Sequence, residues 1–229
     1  MKFDRLIKYF TNGEWALWLS SVLLVILSFT ISPEKDVLSL ISSLIGVTAL
    51  IFSAKGNPFG QVLMIIFCIM YGIISYAFAY YGEVLTYVLM TGPMSVYALI
   101  SWLKNPYEGN RAEVKVNKIK AKEIYLMLAL SVIVTVAFYF ILRAFNTANL
   151  FFSTLSITTS FIAVYLTARR SPYYALAYAS NDIVLVILWT LASIRNPEYI
   201  STVACFAVFL ANDIYGFISW RRMEKRQSK

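Results

Sequence analysis

Two Asn-Asp pairs, Asn181-Asp182 and Asn212-Asp213, are the side chains of this sequence best suited to chemistry, because each lies within a long apolar run. Ionisable groups inside an apolar membrane segment are costly and commonly mark a functional site. An amide beside a carboxylate offers donors and acceptors for sugar hydroxyls and for a base or amide edge. We therefore predict that these four residues bind a polar solute. The alternative is structural, since Asn can join neighbouring helices and Asp can pair with a tyrosine hydroxyl.

Aromatic side chains accompany the first pair at helical spacing. Tyr174, Tyr178 and Trp189 recur on the face that also carries Asn181 and Asp182. A flat ring attached to a sugar could stack on such a face, and a cationic ring would gain further from it. We predict that the three aromatic residues belong to the binding site, although packing or lipid contact is the commoner role of an aromatic face.

The first half of the chain offers a different set of residues. Gln61 and Tyr71 lie on one face of a predicted helix and are further candidates for solute binding. Gly92-Pro93 interrupts the next apolar run, where proline removes a backbone hydrogen bond and kinks the helix. The interruption is a candidate hinge, with a static kink as the equal alternative.

The composition places these residues in a membrane protein. Of 229 residues, 59% are apolar and 14% are charged, whereas about a quarter of an ordinary soluble domain is charged. The absence of histidine excludes the common zinc motifs and imidazole-dependent triads, and we predict no metal and no cofactor. The net charge of +8 falls between apolar runs, so a nucleic-acid partner is not predicted.

Eight apolar segments approach the length of a transmembrane helix, which is roughly 17–25 residues. We place them at Trp15–Ile31, Val37–Ala54, Pro58–Tyr81, Glu83–Leu103, Ile124–Leu142, Asn149–Ala168, Pro172–Ile194 and Tyr199–Trp220. The rise of about 1.5 Å per residue puts both Asn-Asp pairs roughly 11–15 Å from the same membrane face, so they can converge. The chain is predicted to be an all-α, multi-pass membrane protein.

Basic residues predict the orientation. If the chain begins inside and crosses eight times, all but Lys35, Arg143 and Arg195 of the 20 Lys and Arg residues fall on the inside. They include Lys2, Arg5, Lys8, Lys55, Arg169 and Arg170, the stretch from Lys104 to Lys122 and the tail from Arg221 to Lys229. Positive residues stay on the cytoplasmic side, so we predict that both termini are cytoplasmic.

An internal repeat divides the chain. Tyr97 to Trp102 and Tyr215 to Trp220 close matching spans with a shared Ile-Ser-Trp, and the matched Pro58 and Pro172 begin two other spans. The blocks run in the same direction, which predicts a parallel repeat joined by one inversion helix. The predicted segments are an extra N-terminal helix (1–31), a first three-helix repeat (37–103), a cytoplasmic linker with the inversion helix (104–148), a second three-helix repeat (149–220) and a basic tail (221–229).

This three-one-three layout resembles the SWEET sugar carriers and the Pnu vitamin transporters, and the local residues favour the second. Over spans two to eight the sequence resembles the PnuC family, through Tyr71-Gly72, Trp102, Arg169 to Pro172, Asn181 and Trp220. The resemblance implies a homotrimer with one central site per subunit. It also implies facilitated uptake of a nucleoside-like vitamin precursor, typically nicotinamide riboside, which a cytoplasmic kinase traps by phosphorylation.

One position departs from the family pattern. Family members that take nicotinamide riboside typically carry Trp-x-x-Trp followed by Asn on this helix, and the matching residues here are Tyr174, Ala177 and Asn181. Ala177 replaces the second tryptophan, which removes a stacking surface and leaves more space. An ordinary nucleoside or deoxynucleoside is therefore nearly as good a candidate solute as nicotinamide riboside, and thiamine is a weaker candidate.

The sequence thus predicts a bacterial inner-membrane transporter that carries a nucleoside-like solute by alternating access. It has no Gly-x-x-x-x-Gly-Lys-Ser/Thr motif for ATP binding. The alternatives are a proton symporter of the same solutes, a sugar carrier of the SWEET kind, and an intramembrane enzyme that uses Asp182 and Asp213 as paired carboxylates. We expect a transporter rather than an enzyme.

Overall fold

The computed structural model describes residues 9–31, 37–77, 81–195 and 200–229. Lys2, Arg5, Lys8 and Lys35, which enter the orientation argument, and residues 78–80 of the third predicted span lie outside the described residues.

Eight helices account for almost all of the described chain. They are α1 (Asn12–Ile31), α2 (Val37–Ala54), α3 (Phe59–Ala77), α4 (Tyr81–Val84, Leu85–Thr91 and Gly92–Leu103), α5 (Ala121–Ala144), α6 (Leu150–Ala168), α7 (Tyr174–Arg195) and α8 (Ile200–Gln227). Seven of them, all except the three-part α4, are long and apolar enough to cross a membrane. The predicted all-α membrane fold is confirmed, and seven of the eight predicted spans are candidate spans in the structure.

The helices form two similar groups of three that pack against each other. Within the groups, α2 packs on α3 and α3 on α4, while α6 packs on α7 and α7 on α8. Between the groups, α4 contacts α6 and α8 contacts α2. Of the remaining helices, α1 lies against α2 and α8, and α5 lies against α6.

Two buried tryptophans make reciprocal bonds across this boundary. The indole of Trp102, at the end of α4, donates to the carbonyl of Thr167 in α6 at 2.8 Å. The indole of Trp220, in α8, donates to the carbonyl of Ser53 in α2, also at 2.8 Å. Both indoles are completely buried. This reciprocity is what two helix blocks related by a repeat would produce, and the end of the bundle that holds the two indoles is called the linker end below.

The linker between α4 and α5 is more ordered than a solvated loop. Pro106–Tyr107 (β1) pairs antiparallel with Asn110–Val114 (β2), and Glu108 and Gly109 turn the chain with φ of 47° and 77°. Val114 is fully buried and its N–H donates to the carbonyl of Gly56 at 2.9 Å. The sequence signals identified a turn here but not the long-range contacts that fix it.

The same contacts explain why α8 is longer than predicted. The sequence predicts that this helix ends at Trp220, where the apolar run ends. Instead it continues to Gln227, whose side chain accepts from the Val116 N–H at 2.8 Å, while Arg226 pairs with Glu113. The polar end of the helix is therefore fastened to the linker.

Ion pairs at the linker end attach α1 and α5 to the two groups. Glu14 of α1 pairs with Lys55 at 3.0 Å, and Glu123 of α5 pairs with Arg169. The hydrogen bond to Glu123 raises the pKa of Arg169. Each acid lies in the first turn of its helix, where a negative charge is favoured by the helix dipole.

Candidate functional site

Asp182 of α7 and Asp213 of α8 meet deep within the bundle, and we call them the acid pair. Their exposed fractions are 3% and 4%, and their carboxyl groups are close enough to interact directly. Oδ2 of Asp182 has no hydrogen-bond partner in the described part of the chain. The ion pairs within that part all lie elsewhere, so neither carboxyl is neutralised by a basic side chain. The expected convergence of the two helices at one depth is observed.

Asn181 is held in place by α6. Its Oδ1 accepts hydrogen bonds from Thr159 Oγ1 at 2.8 Å and from Ser160 Oγ at 3.0 Å. The hydroxyl residues of α6 thus both pack against α7 and orient the amide. Because its oxygen is fixed by two donors, the amide keeps a defined direction beside the acid pair.

Asn212 lies next to the acid pair but reaches toward α1. Its Nδ2 donates to Ser21 Oγ at 2.8 Å and to the carbonyl of Val208 at 2.9 Å. Its Oδ1 is buried without a partner among the described residues. The amide nitrogen therefore joins helices, as the structural alternative expected, and the oxygen is left as a possible acceptor for a solute.

An aromatic cluster faces the acid pair from the first group of helices. Tyr71 stacks on Phe67 at 5.5 Å between ring centroids and lies 4.6 Å from Tyr87, while Phe67 lies 6.2 Å from Phe209 of α8. Tyr87 also lies near Asp182. Tyr71 and Tyr87 are both partly buried.

Tyr178 connects this region with the linker end. It lies near both members of the acid pair and makes an edge contact with Tyr174 at 6.2 Å. Tyr174 in turn lies 4.8 Å from Trp220 and 6.5 Å from Trp102, and all three are buried. Trp102, Tyr174 and Trp220 form a closed aromatic layer, the tryptophan layer, on the linker side of the acid pair.

Trp189 lies on the opposite side of the acid pair. It packs with Leu185, Leu188 and Phe206 in a buried apolar cluster, the outer cluster. Fifteen residues of helix separate Tyr174 from Trp189, which at about 1.5 Å per residue is roughly 22 Å. The face that looked continuous in the sequence is therefore longer than a nucleoside, and one such solute cannot contact both of its ends.

Gln61 also lies away from the acid pair. Its Nε2 donates to Ser53 Oγ at 3.4 Å, beside the carbonyl that Trp220 binds. The structure thus places Gln61 at the linker end, where it joins α3 to α2.

The Gly92-Pro93 interruption follows a seven-residue π-helical stretch, Leu85–Thr91. The N–H of Gly92 bonds to the carbonyl of Tyr87, the wider spacing of a π-helix. A side chain at Gly92 would lie 3.0 Å from that carbonyl, so glycine suits this close approach. The wide turns carry Tyr87 into the aromatic cluster, which links the interruption directly to the site.

Sequence reasoning missed Phe67, Tyr87, Phe209 and Ser21. Helical periodicity of 3.6 residues, which identified the face of α7, does not hold in the π-helical stretch of α4 that carries Tyr87. Ser21 was missed because it contacts Asn212, which is 191 positions away in the sequence. Within the described residues, no group of three potential metal ligands is found.

Residues 36–222 match the family model for the nicotinamide mononucleotide transporter. The chain belongs to this transporter family. The match covers the two three-helix groups and α5, and it begins at the residue before α2.

Two similar proteins bear PnuC names. The nicotinamide riboside transporter PnuC of Neisseria mucosa is 26% identical over 226 residues, covering 94% of this chain and 85% of its own length. The crystal structure of the vitamin B3 transporter PnuC matches with a TM-score of 0.81 at 23% identity, covering 95% of this chain and 94% of that one. The resemblance to PnuC is confirmed, and the matched proteins are transporters rather than enzymes. The chain is a multi-pass membrane transporter of this family.

Proposed function

We propose that this protein carries a nucleoside-like cation, nicotinamide riboside, across the bacterial inner membrane by facilitated, alternating-access transport. The observation that carries the proposal is the acid pair. It is buried, has no basic counterion among the described residues, and lies between the tryptophan layer and the outer cluster. The relative from Neisseria mucosa, whose name states this solute, supports the same assignment.

The chemistry of the site favours the riboside over the mononucleotide in the family description. A phosphate group would bring negative charge into a buried site where the described residues offer no basic side chain, and an uncompensated buried charge is costly. A pyridinium ring is a cation that gains from aromatic faces and from a nearby carboxylate. Tyr87 and Tyr178 supply the aromatic faces, and Asn181 supplies an oriented amide for the ribose or carboxamide.

A neutral nucleoside or deoxynucleoside is the second candidate, and one residue favours it. Ala177 stands where nicotinamide riboside carriers of the family typically have tryptophan, and it lies partly buried beside the tryptophan layer. A smaller side chain leaves room for a larger base and removes one stacking surface.

We infer further that the linker end faces the cytoplasm and that both termini do so. The basic residues of the linker and of the α8 tail support this orientation. On this account the chain assembles as a homotrimer in the lipid bilayer. A separate cytoplasmic kinase phosphorylates the solute and so keeps net transport inward. Alternating access requires the tryptophan layer to open.

Binding to the purified protein tests the proposal. Calorimetry would compare nicotinamide riboside, thymidine, deoxyadenosine and thiamine, with Asn181→Ala run alongside. We expect nicotinamide riboside to bind most tightly and Asn181→Ala to weaken it. Tighter binding of thymidine or deoxyadenosine would select the second candidate, and no binding of any of the four would overturn the solute class.

A further inference from the structure

We propose that the acid pair is uncharged in the absence of solute and that a cationic solute binds in exchange for one proton. This inference rests on the proposed function and adds to it the charge state of the site. The first support is geometric. Two buried carboxyl groups adjoin each other, and Oδ2 of Asp182 lacks a partner among the described residues.

An uncompensated charge is expensive at this depth. Moving a lone carboxylate into a low-dielectric interior is so costly that the group takes up a proton instead. Two adjacent carboxyl groups cannot easily ionise together, and a protonated one can donate a hydrogen bond to the other. Without a cation, the least costly state of the acid pair is therefore the neutral one.

The side chains around the acid pair support this state from every neighbouring helix. Tyr178 on α7, Cys205 on α8 and Tyr87 on α4 lie near Asp182, and each carries an acidic group that is normally neutral. From α6, the hydroxyl groups of Thr159 and Ser160 contact the neighbouring Asn181.

Two acids and one ion pair complete the surroundings. Cys68 of α3 lies near Tyr178, and Glu83 of α4 lies near Tyr71 and Tyr87. On the α1 side, Tyr215 of α8 donates to Glu14, whose charge is neutralised by Lys55. No element thus presents an unpaired cation to the acid pair within the described residues.

The exchange conserves charge and atoms. One carboxyl O–H bond breaks, the proton leaves to water, and the resulting carboxylate stays beside the solute cation, so that the site remains neutral.

Calorimetry on the purified full-length protein measures the exchange. Nicotinamide riboside is titrated in two buffers of different ionisation enthalpy, and the difference in observed heat gives the protons released. Its reduced 1,4-dihydro form, which has the same sugar and carboxamide but no charge, is the matched control ligand. We expect release of about one proton with the cation and about none with the neutral form. We also expect cation affinity to rise up to about tenfold per pH unit while the acid pair holds the proton.

Substitution of each member of the acid pair tests whether the released proton comes from these carboxyl groups. Asp182→Asn and Asp213→Asn are expected to reduce the release, and continued binding of the neutral form shows that each variant is folded. Ser131→Ala, which removes a hydroxyl bonded within α5, is the control and should release protons as the unmodified chain does. Binding of the cation with no proton release would overturn this inference and leave the proposed function standing. Absence of nicotinamide riboside binding at every pH would overturn both.

Discussion

The two three-helix groups share a framework but differ in what they place at its centre. The indoles of Trp102 and Trp220 make equivalent hydrogen bonds. Lys55, which follows α2, pairs with an acid of α1, and Arg169, which follows α6, pairs with an acid of α5. At mid-depth, however, the second group supplies both carboxyl groups. The first supplies an aromatic cluster and a π-helical stretch. The two groups thus correspond at the linker end and differ at the centre, where we propose that the solute binds.

Removal of either buried indole at the linker end should have the greatest effect of the changes considered. Trp102→Ala and Trp220→Ala should each lower the free energy of unfolding by about 3–5 kcal/mol, since each removes a buried indole. Because their environments correspond, the two losses should agree within about 1 kcal/mol. Denaturation in detergent measures both, with Trp102→Phe and Trp220→Phe retaining the ring and losing only the hydrogen bond. A large loss for one indole and none for the other would contradict an equivalent framework.

The second prediction concerns the diverged centre. In the repeat, Ser95 corresponds to Asp213, and both are buried. Asp213→Ser should weaken nicotinamide riboside binding by about 10–100-fold, because a carboxylate beside the cation is lost. Ser95→Ala should change it by less than about threefold, since one neutral hydroxyl is removed. Calorimetry measures the affinity of both variants. Equal losses of affinity at the two positions would mean that both helix groups contribute equally to solute binding.

The third prediction concerns the candidate hinge, which the second group lacks. Pro93→Ala restores a backbone donor where α4 changes from π to α geometry, and it should stiffen this region. We expect transport into proteoliposomes to slow by about tenfold with little change in solute affinity. Ala211→Ser, at the corresponding position of α8, serves as the matched control. Unchanged transport in Pro93→Ala would favour a static kink.

The fourth prediction has the smallest effect and concerns α1. Ser21→Ala removes the hydroxyl that holds Nδ2 of Asn212, and it should lower stability by about 0.6 kcal/mol, the average for such bonds between membrane helices. Solute affinity should stay within about threefold of the original, since the acid pair is untouched. A loss of affinity as large as that in Asp213→Ser would show that α1 orients a residue essential to binding.

The sequence predicted the framework well because apolar length and basic residues determine it. The bounds of α2 agree with the structure, and the Tyr and Trp motifs at the ends of α4 and α8 point to the tryptophan layer. The convergence of Asp182 and Asp213 followed from counting residues from the helix ends.

The remainder of the site depends on contacts that no local pattern encodes. Tyr87 enters through a π-helical stretch, and Asn212 turns toward Ser21 on a distant helix. Helical periodicity placed Tyr174 and Trp189 on one face but could not show that they belong to different layers. Their roles in solute binding stay predictions, as do those of Gln61 and Tyr71.

A structure of the full chain with nicotinamide riboside bound would test the central claim most directly. The account predicts the pyridinium ring at mid-depth, with its charged nitrogen within about 4–6 Å of a carboxylate of the acid pair. Tyr87 or Tyr178 should lie against the ring face, and the Asn181 amide should contact the ribose or carboxamide. Nicotinamide riboside bound in the outer cluster, or with its ribose against Asp182 and Asp213 and its ring elsewhere, would contradict this assignment.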